Sequence, residues 1–197
     1  MDDSGKHNTQ GGGKVRGQSL PPSRSVEQAA FFNEPNRLKC KDIMEALEDS
    51  NINMIGVCGY ERTTEMGSLL ENVSSTAKRK KLFDVIKTTS LKGETNLGRI
   101  QQKIADVLGC SIQEEKETSC LPSSSNKKIV TERARQLSGW IKEKEKVLLM
   151  VSALDTQLDL AKIGIPFGED HKGCKVIVVS ESEKKLSQMK TQKIFLL

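Results

Sequence analysis

Short apolar runs alternate with stretches whose apolar residues recur every three or four positions, and this alternation constrains the fold more than any other feature of the chain. The runs are residues 52–58, 82–86, 147–151, 176–179 and 194–197. Each is too short for a buried helix and is bounded by polar turns, so each reads as a strand. Between them, Cys40, Ile43, Met44 and Leu47 form one helical stripe, and Met66, Leu69, Leu70, Val73 and Ala77 a second. Leu97, Ile100, Ile104 and Leu108 form a third, with Asn96 placed to cap its start and Gly109 to stop it. Val130, Ala134, Leu137 and Ile141 mark a fourth helix, and residues 183–189 a short polar one. Residues 113–128, charged and then Ser-rich, are expected to be a loop, and residues 164–168 a turn. Strands alternating with helices give a parallel sheet covered on both faces, with its ligand crevice beyond the carboxyl ends of the strands. The loops after Cys58, Ile86, Val151 and Val179 are therefore where chemistry is expected.

Composition removes several other readings. Residues 1–30 carry Gly11-Gly12-Gly13, Pro21-Pro22 and few apolar side chains, a flexible leader, so order is expected from Phe31 to Leu197. The five cysteines are odd in number and form no C-x-x-C pair, and with only two histidines a zinc site is not expected. His171 is the one histidine beyond the leader that could activate a thiol. The longest apolar run is a quarter of a bilayer span, and no secretory signal opens the chain, so a cytoplasmic protein is expected. Lys78, Arg79, Lys80 and Lys81 end the second helix, where the helix dipole accounts for positive charge. A net charge of +5 and an aromatic content of 4% do not add up to a nucleic-acid surface.

Residues 52–57, 100–109 and 158–175 closely resemble, in sequence and in order, the nucleotide-binding subdomain of the NB-ARC region in plant disease-resistance proteins of the coiled-coil NLR class. The block around Pro166 with its flanking glycines is especially characteristic. The resemblance covers residues 31–197 and implies a P-loop NTPase-like three-layer α/β/α sandwich with about five parallel strands. It also implies an ADP/ATP switch. The family's coiled coil, ARC subdomains and leucine-rich repeats are not recognisable in this sequence.

The family's chemical positions have changed. A P-loop, G-x-x-x-x-G-K-[ST], needs glycines that let backbone N–H groups wrap phosphate, a lysine for charge and a hydroxyl for magnesium. Aligned on the first strand, the chain reads Gly59, Tyr60, Glu61, Arg62, Thr63, Thr64, Glu65, Met66. Thr64 stands for the second glycine, Glu65 for the lysine and Met66 for the hydroxyl. A non-glycine residue forced to positive φ costs about 1–2 kcal/mol. A lost charge-assisted hydrogen bond costs roughly 1.5–3 kcal/mol. Two such losses weaken binding on the order of a hundredfold.

The neighbouring loops show the same loss. After the third strand, where the family carries two acidic residues, stand Ser152 and Ala153, with Asp155 two residues on. After the fourth, Ser180 and Glu181 replace a Thr-Ser-Arg sensor. Glu34 matches one half of a charged pair at the adenine pocket, and Arg37 is offset from the other. The expected function is a non-catalytic interaction or regulatory module in plant defence, with NLR receptors or other immune proteins as partners. The alternative is a residual ADP- or ATP-binding switch, its support being Gly59, Arg62 and the helix N-terminus.

Overall fold

The computed structural model describes residues 34–112, 123–152, 159–166 and 168–197. In chain order these form α1 (Glu34–Glu48), β1 (Met54–Cys58), α2 (Thr64–Arg79), β2 (Val85–Ser90), α3 (Leu97–Leu108) and α4 (Ser123–Lys142). There follow β3 (Val147–Ser152), α5 (Leu160–Ile163), β4 (Cys174–Ser180), α6 (Glu183–Gln188) and β5 (Lys193–Leu196). All strand pairings are parallel, in the order β2-β3-β4-β1-β5. Registers are set by pairs such as Val147 with Cys174, Val57 with Val179 and Gly56 with Ile194.

Alternation along the central strands divides the core in two. On β3, Val147, Leu149 and Val151 join a cluster with Ile100, Ile104, Leu137, Ile141, Ile163 and Leu186, so α3 to α6 cover that face. Leu148 and Met150 join Ile43, Leu47, Met66, Leu69 and Val73, so α1 and α2 cover the other. Every residue of β3 and β4 is buried, as central strands of a doubly covered parallel sheet require. The result is a three-layer α/β/α sandwich around a five-stranded parallel sheet. No helix among the described residues is long and apolar enough to cross a membrane.

The structure corrects several expected boundaries. The second strand is displaced from 82–86 to Val85–Ser90, because Lys87, Thr88 and Ser90 lie exposed on an edge strand that needs no apolar run. Leu82 and Phe83 instead pack half-buried on the α1/α2 side. The expected loop 113–128 is cut short: α4 begins at Ser123, seven residues before Val130. Helix α5 was not expected, being too short to show a period. Its signal is its ends, for Asp159 Oδ1 accepts from Lys162 N at 3.2 Å and Gly164 closes it at φ 99°. For α3 both expected caps hold: Asn96 accepts from Arg99 N at 3.1 Å, and Gly109 takes a left-handed φ of 74°. The leader 1–30, Phe31 and the rest of the 113–122 loop lie outside the described residues.

At the amino ends of the strands, side chains stitch backbone to backbone. Lys175 Nζ donates to Asp49 O and Ile52 O, 2.5 Å each. Burial pushes its ammonium below the usual lysine range, offset in part by the Asp49 carboxylate. Gln192 Oε1 accepts from Asn53 N and Met54 N at 2.6 and 2.9 Å. His171 Nε2 lies 2.8 Å from Lys144 O and 3.2 Å from Ile141 O, which places its proton on Nε2 and closes the carboxyl end of α4. That ring is engaged with carbonyls, and burial pushes the Cys174 thiol up to about 12, so the pair makes no activated nucleophile.

Candidate functional site

Strands β1 and β4 are neighbours, yet the helix after β1 packs on one face and the helix after β4 on the other. This is the topological switch point, where a ligand crevice opens in such sheets. Loop 59–63, the carboxyl ends of β3 and β4, and the first turn of α2 surround it.

Loop 59–63 folds as a tight turn. Gly59 N continues the ladder to Ser180 O at 3.0 Å, and Thr63 N reaches Tyr60 O at 3.2 Å. The Thr63 hydroxyl donates to the same carbonyl at 3.0 Å and accepts from Met66 N at 3.2 Å, so Thr63 is the N-cap of α2. None of residues 59–66 has a positive φ. The strain expected for non-glycine residues here is absent because the loop does not wrap: it lacks the alternating right- and left-handed backbone of a phosphate nest.

Each of the eight loop residues has a definite place. Tyr60 and Arg62 are exposed, Tyr60 by 67% of its surface. Thr64 and Glu65 open α2 and face solvent, and Glu65 O accepts from Asn36 Nδ2 at 3.3 Å. Met66, at the magnesium-hydroxyl position, is fully buried among Ile43, Leu69 and Val179. Its Cε would lie 2.9 Å from a Cβ placed on Gly59, and Leu197 Cβ 3.0 Å from it. The space beside Gly59 is therefore taken by the flexible end of the Met66 side chain and by Leu197.

Half-buried Glu61 reaches from loop 59–63 to the end of β3. Ser152 Oγ, at the buried end of β3, donates to Glu61 Oε1 at 2.5 Å. The Glu61 carboxylate therefore links loop 59–63 to the carboxyl end of β3. Glu65 and Glu181 are exposed around it. The Ser180 hydroxyl accepts from Ser182 N at 3.3 Å, so this side chain serves the turn into α6. Glu34 and Arg37 both lie at the start of α1. Ala153 and Asp155 lie outside the described residues, among which no cluster of three metal-ligating side chains occurs.

These residues do not fit a nucleoside di- or triphosphate. The loop presents no nest, Met66 is taken up by the core, and Glu61 and Glu65 would both repel a phosphate brought to the first turn of α2. Sequence reasoning had each substitution but missed the Glu61–Ser152 bond, whose partners are 91 residues apart. An acidic loop residue facing a strand that ends in serine was the available signal.

No family model matches the chain, and no curated protein matches it. Among solved structures it is similar to the ORC2 protein of Aeropyrum pernix. In the ADPNP–ADP complexes of that protein the TM-score is 0.44 and in the ADP form 0.46. Both show 17% identity and cover 92% of this chain but 50% of the other, so the chain spans about half the length of the structures it matches.

Proposed function

We propose that this chain is a non-catalytic, NB-ARC-like module of plant immune-receptor origin that works in the cytoplasm through protein contacts. The proposal begins from the resemblance of three sequence blocks in family order. The observation that carries the non-catalytic part is the Glu61–Ser152 hydrogen bond, which holds a carboxylate at the carboxyl end of β3. Buried Met66 supports it, since the position that would ligate magnesium belongs to the core. NLR receptors or other immune proteins are the proposed partners.

Calorimetric titration of the full chain with ADP and ATP, with and without magnesium, tests this reading. The expected result is no heat of binding at tens of micromolar chain, together with a cooperative thermal transition. Micromolar affinity would overturn it. A second reading, a residual ADP/ATP switch, draws on exposed Arg62 beside the N-terminus of α2, where backbone donors and the helix dipole favour an anion. Binding lost in Arg62→Ala would establish that reading in place of the first.

A further inference from the structure

Away from the crevice, α3, α4 and α5 enclose a groove of about 580 Å³. Leu97, Val130, Ala134 and Ala161 give it an apolar lining, and Lys127 and Lys162 add two exposed cations. Thr131 also faces it, but its hydroxyl donates to Lys127 O at 2.9 Å and is committed to its own helix.

The walls are fixed in advance. Gln101 of α3 is fully buried, and its Nε2 donates to Val130 O, Lys162 O and Ile163 O at 2.9, 3.2 and 3.3 Å. One amide thereby ties α3, α4 and α5 together, two of its contacts being to lining residues. Its Oε1 has no hydrogen-bond partner among the described residues, a cost that an apolar side chain would avoid. Arg133, also buried, donates from α4 to Gly98 O at 3.3 Å and joins the same helices.

A preformed apolar hollow of this volume with a few polar groups has the dimensions of a small-molecule site. The charge of the lining is positive. Lys162 is paired with Asp159 at 3.2 Å, but both are largely exposed, and such a pair yields easily to a competing anion. We infer that the α3–α4–α5 groove binds an amphipathic carboxylate. Its hydrocarbon body lies on Leu97, Val130, Ala134 and Ala161, and its headgroup is held by Lys127 and Lys162.

The test is calorimetric titration of the full chain with dodecanoate below its micellar concentration, with dodecanol as the neutral control. One-to-one dodecanoate binding is expected. Lys127→Glu with Lys162→Glu should weaken it at least tenfold and leave dodecanol unchanged. Ala161→Trp, an exposed position that tolerates bulk, should remove binding of both while the thermal transition stays. Absence of dodecanoate binding in the folded unmodified chain would overturn the inference. So would binding that Ala161→Trp does not disturb. Capture of an acidic amphipathic peptide in place of dodecanoate, lost in Ala161→Trp, would also overturn it and assign the groove to a protein segment.

Discussion

The two rims of the sheet are built differently. At the amino rim, Lys175 and His171 each hold two backbone groups and Gln192 three, and Gly173 leaves room for nothing more: a Cβ there would sit 1.8 Å from Glu145 O. At the carboxyl rim, Glu61 and Ser152 hold each other, and Tyr60, Arg62, Glu65 and Glu181 face water. Asp159, Gly164, His171, Gly173 and Lys175 each cap a helix, close a turn or join segments. Side chains at the amino rim thus hold backbone geometry, while those at the carboxyl rim meet each other or solvent.

The largest test of that contrast is Gly173→Ala. Its new methyl meets a backbone carbonyl, which cannot rotate away as a side chain would. The loss should be about 3 kcal/mol or more, read as a fall in the urea midpoint. A near-neutral result would break the claim that the amino rim is geometrically closed. Next comes Met66→Thr, the change that would restore a magnesium hydroxyl. Because Met66 is fully buried, about 2–3 kcal/mol should be lost in denaturant unfolding without any gain in ADP binding. The smallest effect is expected from Glu61→Gln. It keeps an acceptor for Ser152 in a half-exposed place, so stability should change by less than about 1 kcal/mol in a thermal melt. A much larger loss would make the carboxyl rim as structural as the amino rim.

Legibility in the sequence followed the same division. Strands β1, β3 and β4 were readable because burial on both faces demands continuous apolar runs. Helices α2 and α3 were readable because each turns one apolar stripe inward. Edge strand β2 was displaced because its exposed Lys87, Thr88 and Ser90 carry no such signal. The first turns of α4 were missed because their residues, exposed Lys127 and Lys128 among them, show no apolar period. At the site, the residue types were legible and their pairing was not.

The chain's own residues determined the alternation of elements, the capping of α3 by Asn96 and Gly109, and the acidic and apolar residues Glu61, Glu65 and Met66 that follow β1. These depend on windows of a few residues, where backbone preference and side-chain chemistry act directly. Only the tertiary structure decided the strand order β2-β3-β4-β1-β5, the meeting of Glu61 with Ser152, the inward turn of Met66 under Gly59 and the knot that Gln101 ties beneath the groove. Those depend on which distant segments lie side by side, and local periodicity holds no record of that order.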